Sequence, residues 1–378
     1  MAENKQNKRP NVPPLRFPEF TEPWETSTLQ GIAEFSKGAG ISKEQRSETG
    51  WPCILYGELY TTYSNEVIED VVSRTDLDPT DLVKSQSNDV IIPSSGETAE
   101  DIATARCVFD DNVLLGGDLN IIRLNEPHDG RFMSYQLNGI RKYDIARIAQ
   151  GVSVVHLYSN ELKKLSVSLP QSVEQKRIAD FIGLLDRRIA VQSKLIEQLE
   201  SLIKGIIHHL TAESPNVRIA DCLDCHSSTL QENQLKELGK CRVYGANGVC
   251  GYTDSPAING NAILIVKDGS GVGNVSFATG EYSVIGTSNY LTAKSGYNLR
   301  YIYFCLMNFN FAPYKTGMAI PHIYFKDYGK AKIYCPALEE QERIANVLSK
   351  IERKMVIERS ITNHYIEQKQ YLLQQMFI

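Results

Sequence analysis

From Ile178 onward, apolar residues recur at alternating spacings of four and three: Ile178, Ile182, Leu185, Ile189, Ile196, Leu199, Ile203, Ile206 and Leu210, with Gln192 as the one polar slot among them. This is the a/d seam of a helix that packs lengthwise on another helix. Charged residues fill the positions between, among them Lys176, Arg177, Asp180, Arg187, Arg188, Lys194, Glu197 and Glu200, and no proline interrupts. The spacing predicts one helix of roughly 40 residues, about 60 Å long at 1.5 Å per residue. A second run, Ile344, Leu348, Ile351, Met355, Glu358, Thr362, Tyr365, Lys369, Leu372 and Met376, repeats the spacing with a more polar middle. There Ile357 and Ile361 predict a local shift of the stripe. Each helix is expected to start after a proline, Pro170 or Pro336. Acids fall in each first turn (Glu174; Glu339 and Glu340), where they suit the positive end of the helix dipole.

The two runs belong to an internal repeat. Gly151, His156 and Tyr158 meet Gly317, His322 and Tyr324 at an offset of 166. Pro170 then meets Pro336, Glu174 and Gln175 meet Glu340 and Gln341, and Arg177 to Ala179 meet Arg343 to Ala345. Between 151 and 179 there are 10 identities in 29 positions. A period of this length is a duplication of a whole domain, not a solenoid. Each apolar stripe must be buried, and the other helix is the simplest partner. A twofold relation would make the helices antiparallel, with a globule at each end of a rod. Two helices packed separately on their own globules remain the alternative.

The rest reads as two mixed α/β globules. The runs 89–93 and 261–266 are apolar and of strand length, and each enters a turn, Ser94 to Gly96 or Lys267 to Gly271. Leu114 to Ile121 and Ser283 to Tyr290 share an apolar–Gly–polar–Asn pattern. Phe132–Leu137 and Leu299–Asn308 are short candidate helices placed alike. The expected organisation is a flexible tail over 1–18, a globule over 19–165, a long helix within 166–212, a second globule over 213–335 and a second long helix within 336–378. The fold class is α+β: two homologous mixed α/β domains with two long helices forming an antiparallel coiled coil.

Composition narrows the function. The chain has 378 residues, hydrophobic residues make up 42% and charged residues 22%. No apolar run is long enough for a membrane span, and the first 18 residues lack the apolar core of a secretory signal. Eight cysteines in such a chain read as reduced thiols of a cytoplasmic protein. Net charge is -5, against indiscriminate coating of nucleic acid. Residues 1–165 hold 25 acids against 17 bases, whereas 213–335 hold 11 bases against 9 acids.

With both copies in view, the chain resembles the specificity subunit of type I DNA restriction–modification systems. The resemblance rests on Gly151 to Tyr158, on Pro170, Glu174, Gln175, Arg177, Ile178 and Ala179 leading into a long helix, and on the same residues 166 positions later. Leu15 to Phe20 before Trp24, with the Pro93–Gly96 and Lys267–Gly273 turns, is also similar. The resemblance implies two target-recognition domains, each reading half of a split double-stranded DNA target, with the helices setting the gap. It implies two adenine-methyltransferase subunits docked beside the helices, with motor–nuclease subunits joining them. It implies no catalytic role and no cofactor for this chain, S-adenosylmethionine belonging to the methyltransferase subunits. Asp89 and Asn261 at the strand heads, and the acidity of the first domain, depart from the pattern and bear on its DNA face.

The sequence lacks the Asn-Pro-Pro-Tyr and Asp-Pro-Pro-Tyr motifs of adenine methyltransferases and has no Walker loop. Glu-x-Lys triplets such as Glu174 to Lys176 and Glu367 to Lys369 fall on the helices and read as charge spacing. Cys222, Cys225 and His226 match the spacing for covalent haem attachment, which would need export and an apolar crevice. Cys222 and Cys225 with Cys241 and Cys250 have the ligand types for zinc, but the second pair lacks tight spacing; reduced structural thiols are the preferred reading, and no metal is assigned. Lys267 to Gly273 is preferred as a strand-connecting loop over a phosphate cradle. His156 and His322 read as structural, and Gln192 and Glu358 as polar seam residues that fix register.

Base readout calls for Arg, Lys, Asn or Gln on exposed elements. Candidates in the first globule are Lys37, Lys43, Arg46, Tyr60, Ser95, Asn120, Arg141 and Lys142. In the second they are Arg242, Tyr244, Asn247, Lys267, Ser270, Asn289, Lys315 and Lys326. A coiled-coil scaffold with two protein-binding heads is the alternative reading.

Overall fold

The computed structural model describes residues 11–151, 153–211 and 214–378. Residues 1–10 of the expected tail, Val152 of the first repeat motif, the expected boundary at 212–213 and the Leu210 side chain lie outside the described residues. The chain forms two compact units. One runs to Val191 and takes in Ile361–Ile378; the other is Gln192–Ser360.

In the first unit, a five-stranded sheet has the order Ala33–Lys37, Leu119–Leu124, Val90–Pro93, Arg106–Val108, Val67–Ile68. The run Val90–Pro93 is buried on both faces, as a continuous apolar stretch demands of an inner strand. A second sheet joins Ser73–Thr75, Trp51–Ile54 and Leu114–Leu115. The short helix Gly130–Asn138 supplies Phe132, Met133, Tyr135 and Leu137 to the core. Its N-cap, Asp129, accepts the Arg131 and Phe132 amides, which would otherwise lack partners.

The first long helix, Ser172–Thr211, begins in this unit. Ile178, Ala179 and Ile182 join the same core. So do Leu372 and Leu373 from the end of the second long helix, Leu338–Gln375, with Met376 and Phe377 beyond it. The helices run antiparallel here: Asp186 meets Lys369 at 2.5 Å, and Arg188 donates to the Tyr365 hydroxyl at 2.8 Å.

The second unit repeats the plan. One sheet orders Leu223–Ser227, Ser288–Ala293, Ala262–Val266 and Val275–Ala278; another orders Gly248–Thr253, Cys241–Gly245, Glu281–Val284 and Ile258–Asn259. The helix Leu299–Met307 covers the first sheet, capped by Asn298. Ile203 and Ile207 from the end of the first long helix share its core with Ile344, Ala345, Leu348 and Met355 from the start of the second. Arg359 pairs with Glu200 on the exposed side. Within each unit the helices therefore pair antiparallel, and each also packs on its globule.

Three expectations change. The stripe of the second helix does not shift: Ile357 is 54% exposed, while Glu358, Thr362 and Lys369 are buried in their original slots. The heptad spacing holds because the polar slots find partners. Lys369 bonds Glu66 and Asp186, and Glu358 pairs with Lys354 at 3.0 Å. Residues 11–18, expected as flexible tail, are tied down. Arg16 forks onto Glu174 through Nε and Nη2, both at 2.7 Å, and Phe17 packs edge-on against Phe181. Finally, the compact units cut across both long helices instead of leaving them as separate segments. Their stripes are shared between helix and sheet, so neither helix parts from its globule.

Candidate nucleic-acid interface

Each unit carries the same strand, turn and hairpin edge. In the first, Val90–Pro93 runs into Ser94, whose carbonyl accepts the Leu157 amide at 2.9 Å; Ser95 pairs with His156, and Gln150 closes a hairpin with His156. In the second, Ala262–Val266 runs into Lys267, whose carbonyl accepts the Ile323 amide at 2.9 Å; Asp268 pairs with His322, and Thr316 closes the hairpin. These equivalences keep the offset of 166 from Gln150 to Thr316 and from Leu157 to Ile323. The duplication is thus a duplication of backbone geometry.

The glycine that opens each hairpin is required. Gly151 has φ 126° and Gly317 φ 87°. A Cβ on them would sit 2.1 Å from the Val154 carbonyl oxygen and 2.4 Å from that of Ile320.

In the second unit several expected residues gather at this edge. Lys267 and Ser270 lie in the turn, Lys315 at the foot of the hairpin, and Asn247 on the exposed turn joining Cys241–Gly245 to Gly248–Thr253. The turns approach each other, since a Cβ on Gly271 would lie 3.5 Å from Ala246. Lys326 stands 5.1 Å over the Tyr324 ring, a cation–π contact. Arg242 is exposed on Cys241–Gly245, and Tyr244 packs edge-on against Tyr282. The amides of Lys267, Asp268, Gly269, Val272 and Gly273 are all bonded within the unit. Five of the seven amides from Lys267 to Gly273 are thus spent within the unit, which suits a strand connection.

In the first unit the expected residues are more scattered. Lys37 is exposed at a strand end, opposite Asn120 in register. Lys43 and Arg46 line a cleft with Tyr56, Thr61 and Thr62, and Arg46 is held 3.5 Å from the buried Glu58. Tyr60 is half-buried, and burial pushes its phenol up. Ser95 lies in the turn at the hairpin. Glu97, Glu100 and Asp101 follow that turn and make this edge acidic.

Three of the candidates, Asn120, Asn289 and Arg141, have structural work. Asn120 is fully buried; its amide donates to the Leu157 carbonyl at 2.9 Å and its oxygen accepts the Ser159 hydroxyl at 2.8 Å. Asn289, its counterpart, is buried and accepts the Ser227 hydroxyl at 2.9 Å. Both side chains are buried and spent on internal hydrogen bonds, an arrangement that suits a structural role. Arg141 donates to the Ile378 carbonyl oxygen at 3.2 Å and pairs with Asp144; it caps the helix Lys142–Ile148, of which Lys142 is the first residue.

The four cysteines weighed for zinc do not converge. Cys222 faces Cys335 at 3.9 Å between sulfurs, Cys225 lies on Leu223–Ser227, and Cys241 and Cys250 lie on strands of the other sheet. Among the described residues no group of three or more His, Cys, Asp or Glu side chains gathers as a metal site. Burial pushes the Cys225 thiol up to about 11, as for an inert half-buried thiol. His156 is exposed, and His322 sits 3.2 Å through Nδ1 from the Ile320 carbonyl oxygen, inside its own hairpin.

Sequence reasoning missed the groups that hold each globule to its helix. Tyr135 donates to Asp186 at 2.6 Å and Tyr303 donates to Glu352 at 2.9 Å; Asp186 and Glu352 are themselves 166 apart. Arg131 pairs with Asp180 at 2.8 Å, and Arg300 with Glu352. The offset itself was the available signal for Asp186 and Glu352.

The profile of the type I restriction modification DNA specificity domain matches residues 21–201 and again 215–368. The EcoprrI specificity subunit of Escherichia coli is 26% identical over 109 residues, 29% of this chain and 27% of that one. A putative specificity subunit, S.HindORF215P of Haemophilus influenzae, is 26% identical over 120 residues, 31% of each chain. The matches thus span less than a third of these relatives. The crystal structure of a type I restriction–modification S subunit from M. genitalium shares the fold at a TM-score of 0.72 and 18% identity, covering 97% of this chain and 99% of that one. A chain from a structure of type I complex assembly and conformational transition aligns at a TM-score of 0.51 and 16% identity, covering 94% and 97%.

Proposed function

We propose that this chain, which belongs to the type I restriction modification DNA specificity family, selects the DNA sequence on which a type I complex acts. Each unit reads one half of a bipartite double-stranded target. The paired helices set the spacer between the halves. The observation that carries the reading is the repeated edge: two diverged globules keep one strand, turn and hairpin geometry, and each is fused to a long helix. A chain with two different heads on one repeated frame suits a target of two different halves.

The chain supplies no chemistry of its own in this reading. Two adenine-methyltransferase subunits bring S-adenosylmethionine and flip the target adenine, and motor–nuclease subunits complete the complex in the cytoplasm. The methyltransferase subunits dock on the outward faces of the helices, where Leu184, Val191, Leu202 and Val356 are exposed. Exposed apolar side chains off the seam favour such partners. They also carry much of the phosphate affinity, which reconciles DNA binding with a net charge of -5.

The acidic edge of the first unit favours a second reading, in which the heads bind proteins. One experiment separates them. The chain is co-expressed with the methyltransferase subunit encoded beside it, in a host lacking adenine methylation, and modified bases are mapped. A two-part motif with a constant gap and one modified adenine per half is expected. A continuous motif overturns the two-headed ruler. No modification by a folded, bound methyltransferase favours the scaffold.

A further inference from the structure

This inference rests on the DNA reading above and concerns the two matched hairpins. Gln150 and His156 exchange backbone hydrogen bonds of 2.9 and 2.7 Å, and Thr316 and His322 exchange bonds of 2.9 and 2.8 Å. Each tip opens on a glycine that no other residue replaces without strain, and each is pinned to the neighbouring strand end at Leu157 or Ile323. The two hairpins are therefore anchored alike at their bases. Among the described residues, each carries at least one exposed apolar side chain at its end. Val154 is 52% exposed, Ile320 is 66% exposed and Met318 is wholly exposed. A single exposed valine needs no explanation, but apolar side chains at one place in two diverged copies do. Around the second tip stand Lys267, Lys315 and Lys326, with Asp268 as the acid of the adjoining turn. An apolar tip among cations matches a nucleic-acid groove, where the phosphates take the charge and the base stack takes the apolar side chain.

We propose that the two hairpin tips are wedges that enter a DNA groove and part a base step in each half of the target, Val154 in one half and Met318 with Ile320 in the other. DNA-bending proteins insert such side chains between base steps and offset the lost stacking with the wider contact a kinked duplex allows. A wedge needs a stiff mount, and the bonds to Ser94 and Lys267 provide one.

The test uses the full chain assembled with its methyltransferase subunits, and duplexes carrying the motif that the wild-type complex methylates. The variants are Val154→Ser, and Met318→Ser with Ile320→Ser; Met318→Leu with Ile320→Leu is the apolar control. A single mismatch is moved step by step along the duplex. A mismatched step is already partly unstacked, so it tightens binding wherever the protein must open the stack. The wild type is expected to gain at the methylated adenine and at one further step in each half. The serine variants are expected to bind about tenfold more weakly and to lose the further step in their own half only. Their salt dependence stays unchanged, because no phosphate contact is removed. The leucine control keeps the gain. Unchanged affinity and mismatch profile in the serine variants overturns the wedge alone. Loss of assembly without DNA overturns it too and assigns the tips to the methyltransferase. A wild-type complex that binds no DNA overturns the functional reading, and the wedge with it.

Discussion

Gln175 and Gln341, 166 residues apart, make the same two hydrogen bonds. Each amide donates to the carbonyl of the proline that precedes its long helix, Pro170 at 2.9 Å and Pro336 at 2.8 Å. Each side-chain oxygen accepts the amide of the residue capping its head helix, Asp129 at 3.0 Å and Asn298 at 2.9 Å. Both glutamines are 1–2% exposed. One side chain thus fixes the start of the rod helix to the start of the head helix. Gln175→Leu or Gln341→Leu would leave a buried N–H and a buried C=O without partners, at about 1–3 kcal/mol each. Denaturant unfolding should show the loss in the unit that carries the change, with Gln175→Glu intermediate because it keeps the acceptor. A change of less than about 1 kcal/mol would contradict the locking role.

Lys369 shows how the chain accommodates a charge in an apolar slot. Its ammonium meets Asp186 at 2.5 Å and also Glu66, and all three groups are nearly buried. Removing one partner of such a cluster strands the others, and Lys369→Met should cost roughly 3–5 kcal/mol. Replacing Glu66 and Asp186 by Gln and Asn in the same chain should recover part of that loss. Urea midpoints of the single and combined variants measure it, and a neutral Lys369→Met would show that the cluster contributes nothing.

How far the sequence reveals this architecture depends on the range of the signal. The seam from Ile178 to Ile203 and the repeat from Gly151 to Ala179 are local or periodic, and the helices and the duplication follow from them. The polar slot at Lys369 misled because its partner Glu66 lies 303 residues away in sequence, whereas Glu358 is answered within its own helix by Lys354. The internal bonds of Asn120 and Asn289 were hidden for a related reason: the Leu157 carbonyl and the Ser227 hydroxyl that occupy them lie 37 and 62 residues away in sequence. Arg16 on Glu174 was invisible in the same way, because in the second copy Glu340 is half-buried and, among the described residues, forms its ion pair with Arg343 at i+3.

His128 makes the first unit sensitive to acid. Burial lowers its pKa below the usual histidine value, and Nδ1 lies 3.3 Å from the Gln175 amide nitrogen, a contact that suits a neutral ring. Between the lowered folded value and about 6.5, the unfolded chain binds a proton that the folded chain does not, so stability falls as pH drops through that window and is complete above it. Thermal unfolding at pH 7.5 and 5.5, in the protein and in His128→Gln, checks the sign. The variant should lose less on acidification, and an equal loss would place the effect elsewhere.

Gln192 is the reverse case, a polar residue whose removal should help. Its Oε1 is buried with no hydrogen-bond partner among the described residues. Leucine at that slot completes an apolar run from Ile189 to Ile196 and removes a desolvated acceptor worth about 1 kcal/mol or more. Gln192→Leu should raise Tm by a few degrees and leave the methylated motif and its gap unchanged. A lower Tm would mean that the amide fixes the register of the helix pair, as a single polar seam residue does in some coiled coils.

The last prediction separates residues that touch DNA from residues that only resemble them. Lys267 and Lys315 flank the second hairpin and make no ion pair among the described residues, and as phosphate contacts they carry no sequence information. Alanine at either should weaken binding of the assembled complex to all sequences alike and reduce the slope of log affinity against log salt by about one. The methylated motif should stay the same. Asn120→Ala and Asn289→Ala should do the opposite. Each removes the internal partner of a serine, Ser159 or Ser227, and Asn120→Ala also frees the Leu157 carbonyl. Unfolding should therefore come earlier, by about 1–3 kcal/mol, with the salt slope and the motif intact. Methylation mapping, salt titration and denaturation on the four variants decide it. A changed motif in either asparagine variant would place that residue in the base-reading set and require its buried side chain to swing out on binding.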